Sequence, residues 1–279
     1  MANSGFFISP RALLGQLGSG DWPLVIDLRI PEDIAAHGAV MPAAMQRQLK
    51  DIASWMPQLP RGRDIVVSCA RGLKIGQAGA AFLRSEGFAA RALEGGFAGW
   101  KEAGGPAVTL AAYNKFIVAS GGLWITRRRP KIDRVACPWL IKRFIDPNAR
   151  FLFVATDQVI AAAERTGAIP FDIEGVEVTH SGADCSFDTL LKLFGLAGHE
   201  PLDEVAKIVR GADTDRLDLA PQAAGLLAIS LGLSARCGED DHALLALGET
   251  VYDGLYAWAA KARGQSHDWV TKPKAAVTQ

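Results

Sequence analysis

The chain has 279 residues, a length that favours two compact units over one. Its 30 lysines and arginines equal its 30 aspartates and glutamates, so no global field draws it to nucleic acid or to an anionic membrane, and any anion site must be local. Four cysteines, Cys69, Cys137, Cys185 and Cys237, are too widely spread for a disulfide framework and lack the C-x-x-C pair of a zinc ribbon, which suits a reducing compartment.

The start, Met1 to Leu14, has no basic cluster followed by an apolar core, the pattern of a secretory signal. The most apolar later stretch, Ala223 to Leu233, is far short of the roughly 20 apolar residues that cross a bilayer. The expectation is a cytoplasmic protein with no membrane partner.

Ser9 followed by Pro10 predicts a capped helix over 11–17. Leu24 to Leu28 and Asp64 to Ser68 are short apolar runs with polar ends, the form of strands buried on both faces of a parallel sheet. After the second run comes Cys69, a loop to Lys74, and helical spacing of Ile75, Ala78, Phe82 and Leu83 up to a stop at Gly87. Gly76 and Gly79 lower the intrinsic stability of that helix, so packing on the sheet must supply the difference. Ala90 to Leu93 reads as a further strand, and alternating helices and strands imply an α/β layer fold.

Gly104, Gly105 and Pro106 break the pattern, which places one domain at 1–107 and a linker at 108–122. Residues 123–270 form the second unit and 271–279 a disordered tail. In the second unit, helices are predicted near Pro138 to Phe144, Asp157 to Arg165, Cys185 to Phe194, Pro201 to Val209, Pro221 to Leu233 and Asp241 to Ala260. Strands are predicted at Phe151 to Val154 and Val176 to Thr179, making this half helix-rich α+β.

A cysteine between a buried strand and a helix N-terminus meets unpaired backbone N–H groups and the positive end of the helix dipole, a setting that favours thiolate. Cys69 has that position. If Gly72 lets the loop curl, its amides form an anion nest, and Arg71 and Lys74 place two cations beside the thiol, suiting a small anionic donor such as thiosulfate.

VIDLR at 25–29 with Glu32, His37 and Gly38, then CARG at 69–72, then LEGGFAGW at 93–100 together resemble the three ordered motifs of the rhodanese family. The resemblance implies a sulfurtransferase in which Cys69 attacks a sulfane sulfur donor, carries a persulfide and passes sulfur to a thiol or cyanide-like acceptor. No dissociable cofactor is implied. The loop chemistry makes Arg71, Gly72 and Lys74 the expected donor-binding residues, and the resemblance implies that Asp27 and Arg29 hold loop and domain together. Where family loops often carry serine or threonine, this chain has Ile75, with Leu73 also in the loop.

In the second half, WITRRRPKIDR at 124–134 runs into an apolar helix carrying Arg143. Arg127, Arg134 and Arg143 are candidates for an oxyanion such as phosphate, sulfate or chromate, against the alternative of a solvated basic segment before an amphipathic helix. His180, with Cys185 and Asp188 one helical turn apart, is a candidate divalent metal trio. The alternative is that Cys185 is core, Asp188 an acid of the first helical turn and His180 a strand end. Asp213, Asp215, Asp240, Asp241 and His199 stand beside turns, where acids commonly cap helices.

DRVACPWLI at 133–141, RFID at 143–146, PFD at 170–172, His180 and CSF at 185–187 resemble the C-terminal domain of ChrB-type chromate-resistance proteins. That resemblance implies a role linked to chromate. With the neutral net charge, nucleic acid is not an expected partner. Two accounts follow: a sulfurtransferase acting under oxyanion stress, or a chromate or oxyanion sensor whose Cys69 module is a redox or interaction unit.

Overall fold

The computed structural model describes residues 5–265, so the predicted tail lies outside the described residues. The front part is built on a parallel five-stranded sheet in the order β1-β6-β5-β2-β4. In chain order its elements are β1 (Phe7–Ile8), α1 (Pro10–Leu14), β2 (Leu24–Asp27), α2 (Pro31–His37), β3 (Ala39–Val40), β4 (Ala44–Gln46), α3 (Ile52–Trp55), β5 (Ile65–Ser68), α4 (Lys74–Ser85), β6 (Ala90–Leu93) and α5 (Gly96–Glu102). Ser9 caps α1, its hydroxyl accepting from the Ala12 amide at 3.2 Å.

The two central strands are buried at every position, and their side chains alternate between two cores. Leu24, Ile26, Ile65 and Val67 face Trp55 of α3 and Ala80 and Leu83 of α4. Val25 and Val66 face Leu13 of α1 and Phe97 and Trp100 of α5. The glycines inside α4 now have a reason. A Cβ on Gly79 would stand 2.5 Å from Leu28 Cδ1, and one on Gly76 would stand 3.1 Å from the Cys69 sulfur. Each glycine costs the helix about 1 kcal/mol relative to alanine and allows it to lie closer to the sheet and to the thiol.

The back part holds β7 (Val108–Thr109), α6 (Leu110–Ala112), β8 (Leu123–Arg127), α7 (Ile132–Leu140), β9 (Arg150–Val154), α8 (Val159–Thr166), β10 (Ile169–Pro170), α9 (Ser186–Leu193), α10 (Glu200–Asp213), α11 (Ala223–Cys237) and α12 (Asp241–Lys261). A parallel three-stranded sheet, β10-β8-β9, carries α8 on one side, with Val159, Ala162 and Ala163 on Ile125. The remaining helices pack largely on one another.

The stretch expected to be a linker, 108–122, is part of the structure. Val108 and Thr109 pair antiparallel with β3, and a wide helical turn over Tyr113–Val118 buries Phe116 and Ile117. The strand expected at Val176 to Thr179 is reduced to a single bridge between Phe171 and Val178. Strand β8 was not predicted, and α7 starts at Ile132, ahead of Pro138, which sits inside the helix.

The core on the Val25 and Val66 face of the front sheet is shared with the back part. One continuous core runs from Val25, Trp22 and Trp100 through Trp124, Trp139 and Phe144 to Tyr256. The backbone crosses the junction too: Ala43 N donates to Phe144 O at 3.0 Å and Leu110 N to Gly38 O at 2.8 Å. Gly18, at φ +69°, lies so close under the Tyr256 ring that a Cβ there would meet it at 2.4 Å.

At the C-terminal ends of the strands, Asp27 and Arg29 form a fully buried pair, Nη2 to Oδ2 at 2.6 Å and Nε to Oδ2 at 2.9 Å. Arg29 Nη2 also donates to Ala39 O at 3.0 Å, and its guanidinium lies 3.8 Å over the Phe97 ring. Burying two charges is offset only when both are paired and further bonded, as here, so removing one partner leaves an uncompensated charge. Arg29→Met is therefore expected to lower unfolding stability by about 3–5 kcal/mol in urea denaturation, whereas replacing both partners with apolar residues costs less. Equal losses for the single and double variants would show that the pairing itself is not what matters.

Candidate functional site

Cys69 follows β5 directly, and its sulfur rests against the first turn of α4, where Gly76 leaves it room. The thiol is buried, 3.9 Å from Leu73 O, while Arg71, Leu73, Lys74 and Ile75 on the rim of the loop are exposed. Among the described residues, none accepts a hydrogen bond from the amides of 70–76. A run of uncommitted amides at a helix start is the local chemistry of an anion site.

The loop is clamped from the first turn of α5. Phe97 N donates to Cys69 O at 2.8 Å and Ala98 N to Ala70 O at 3.0 Å. Gly72, at φ +67°, packs on that turn so tightly that a Cβ would stand 2.6 Å from Gly95 N, and a Cβ on Gly96 would stand 2.2 Å from Cys69 O. The GG pair of the LEGGFAGW motif is thus the surface on which the cysteine loop is moulded. Phe97 joins that clamp to the Arg29 guanidinium, so Asp27 and Arg29 act on the loop through it.

The basic residues of the second half divide. Arg127 and Arg134 line a cleft of about 580 Å³ together with Arg128, Arg129, Lys131, Thr156 and Ser234. Arg143 is not part of it. Its Nε and Nη2 hold Asp253 at 2.8 and 2.9 Å, and Nη2 lies 3.4 Å from Glu249, which ties the helical turn after α7, Ile141–Ile145, to α12. A guanidinium committed to two carboxylates has no fork left for an oxyanion, so the expectation for Arg143 is corrected to a structural pairing.

The expected metal trio is divided as well. Cys185 and Asp188 form a reciprocal cap on α9: Cys185 N donates to Asp188 Oδ2 at 3.0 Å and the thiol lies 3.3 Å from the same oxygen. Asp188 Oδ1 is taken by Arg210 at 2.8 Å. Burial and the neighbouring carboxylates of Asp133 and Asp188 push the Cys185 thiol up, the opposite of what a thiolate ligand needs.

His180 instead faces three aspartates from three separate elements. Its Nε2 lies 3.5 Å from Asp133 Oδ2, 3.4 Å from Asp172 Oδ1 and 3.3 Å from Asp213 Oδ2. Asp133, in the first turn of α7, accepts from the amides of Ser186 and Phe187 at 2.7 and 3.0 Å at the start of α9. Burial, with Asp213 and Asp172 close by, nevertheless raises its carboxyl to about 8. Asp172, in the left-handed region at φ +51°, receives Ser186 Oγ at 2.8 Å, Arg127 Nη2 at 3.0 Å and Arg134 Nε at 3.2 Å.

Asp213, read from the sequence as a helix cap, belongs to this cluster, and Asp133 and Asp172 were present only within motifs. Four residues from distant segments leave no spacing signal. Asp240 does cap α12, accepting from the Ala243 amide at 2.9 Å.

A model described as a rhodanese-like domain matches residues 9–103, and one described as the C-terminal domain of ChrB matches 124–259. Protein ChrB of Cupriavidus metallidurans is 36% identical over 143 residues, 51% of this chain and 42% of that protein, so the chain spans less than half of that relative's length. A sulfurtransferase of Allochromatium vinosum is 31% identical over 102 residues, 36% of this chain and 92% of that protein. Among solved structures, a rhodanese-related protein of Thermoplasma volcanium is 24% identical, covering 37% of this chain and 96% of its own, at a TM-score of 0.33. A rhodanese-like domain protein of Staphylococcus aureus is 22% identical, covering 33% and 88%, at a TM-score of 0.31. No described helix is long and apolar enough to cross a membrane. The chain belongs to the rhodanese-like sulfurtransferase family through its first hundred residues and carries a ChrB-type C-terminal domain behind them.

Proposed function

We propose that this protein moves sulfane sulfur through a persulfide on Cys69. What supports the reading is the setting of that sulfur: at the end of a central strand, on the first turn of α4, in a loop whose amides are uncommitted and whose rim carries Arg71 and Lys74. With thiosulfate as donor, the Cys69 thiolate attacks the outer sulfur, the S–S bond of the donor breaks, and sulfite leaves with the electron pair. The enzyme then holds Cys69 as a persulfide anion facing the helix N-terminus. A thiolate or cyanide acceptor attacks the terminal sulfur, and the Cys69 thiolate is released for the next cycle.

Gly72 allows the loop its curl, and Arg71 and Lys74 attract the dianionic donor. Leu73 and Ile75, 61% and 40% exposed, give the rim an apolar lip. That lip favours an acceptor with apolar surface beside its sulfur. Thiocyanate formation from thiosulfate and cyanide is expected to vanish in Cys69→Ser. Arg71→Ala and Lys74→Ala each raise KM for thiosulfate roughly tenfold, the loss of one charged contact, with a smaller change in kcat. Turnover retained in Cys69→Ser would overturn the reading.

For the C-terminal domain we propose oxyanion binding in the arginine cleft, with chromate the first anion to test. The supporting observation is that five cationic side chains, Arg127, Arg128, Arg129, Lys131 and Arg134, line one cleft with no carboxylate among its lining residues. Arg127 and Arg134 also hold Asp172, so the discriminating variant is the pair Arg128→Ala and Lys131→Ala, which leaves those contacts in place. Equilibrium binding of chromate, sulfate and phosphate is expected for the wild type, weaker at high salt and weaker in the double variant. Failure of all three anions to bind would remove this reading and leave sulfur transfer untouched.

A further inference from the structure

We propose that Asp133, Asp213 and His180 form a binding site for a first-row divalent metal ion, with Asp172 as its fourth wall. The ligand atoms of Asp133, Asp213 and His180 all lie within 4.8 Å of one another. The proposal lies beyond the sulfur-transfer reading and does not depend on it.

The spacing around the imidazole carries the argument. His180 Nε2 stands 3.3–3.5 Å from one oxygen of each of three aspartates. Charge-assisted hydrogen bonds run at about 2.7–2.9 Å, and a nitrogen with one proton at most can serve only one of the three. These separations are instead those between neighbouring ligands of a metal. With bonds of about 2.1 Å, adjacent ligand atoms stand about 3.0 Å apart in an octahedral sphere and about 3.4 Å apart in a tetrahedral one.

The carboxylates are also oriented as ligands are. Asp133 is aimed by the amides of Ser186 and Phe187, Asp172 by Ser186 Oγ, Arg127 and Arg134, and Asp213 Oδ1 lies 3.4 Å from the Asp133 amide. Donors that fix ligand geometry in this way are the usual surroundings of a metal centre. Both arginines are spent on Asp172, and among the described residues no lysine or arginine forms an ion pair with Asp133 or Asp213.

Three protein ligands leave coordination positions open, and His180, its side chain 43% exposed, puts them on the solvent side. Two carboxylates and one imidazole, without thiolate, suit Mn²⁺ or Fe²⁺ better than a structural zinc. Because Asp172 binds both the arginines of the cleft and the edge of this cluster, an anion in the cleft would lie beside the metal.

The test uses the full chain, freed of metal by chelator and dialysed against Mn²⁺. Elemental analysis is expected to find about one equivalent retained, with Mn²⁺ raising the melting temperature. His180→Ala and Asp213→Asn each weaken Mn²⁺ binding at least about tenfold and lose the thermal shift, while Cys69→Ser keeps both. His180 is exposed, so His180→Ala folds even if Asp213→Asn does not. No retention of Mn²⁺, Fe²⁺ or Zn²⁺ by the wild type, or retention unchanged in His180→Ala, would overturn the proposal.

Discussion

The buried pair of Asp27 and Arg29 is the interaction on which the Cys69 loop depends. A reactive loop at the open end of a parallel sheet has few neighbours of its own, and it needs a rigid body behind it. Here that body is a charge pair with no exposure to water, bonded to the Ala39 carbonyl and covered by the Phe97 ring. Phe97 in turn gives its amide to the Cys69 carbonyl. The geometry of the thiol is thus transmitted from β2 through one guanidinium and one aromatic ring.

A second constraint is that the two family regions do not each own a separate core. The face of the front sheet that carries Val25 and Val66 is closed by residues that reach as far along the chain as Tyr256. The antiparallel pairing of β3 with β7 and the backbone bonds from Ala43 to Phe144 and from Leu110 to Gly38 add direction to that apolar contact. Apolar burial is non-directional, whereas backbone pairing specifies one register, so the combination holds the halves in a single arrangement. A sulfurtransferase domain and a ChrB-type domain built in this way share their stability, and a change at the junction is felt by both.

The front half was legible because its signals are local. Buried strands read as apolar runs, α4 reads as helical spacing, and the Cys69 loop sits where strand, glycine and helix meet in a few residues. The back half hides its main features in longer connections. Strand β8 is a short apolar run, pressed between a glycine pair and the arginines, too brief for alternation to show. Helix α7 begins in a charged segment whose Asp133 and Arg134 are turned inward, and Pro138, expected to open the helix, is carried in its interior. The neighbourhood of Cys185 and Asp188 was readable from their spacing, but the same spacing serves a cap as well as a ligand pair. Only the fold shows that the partners of His180 come from α7, the turn that follows β10 and the end of α10.

The central claim is that Cys69 carries the sulfur, and mass spectrometry of the intact protein after a single exposure to thiosulfate tests it most directly. The account predicts a gain of one sulfur atom, trapped by an electrophile and mapped to the peptide bearing Cys69, and discharged on adding cyanide. Sulfur found on Cys137, Cys185 or Cys237 instead, or no sulfur gained from any sulfane donor, would contradict it.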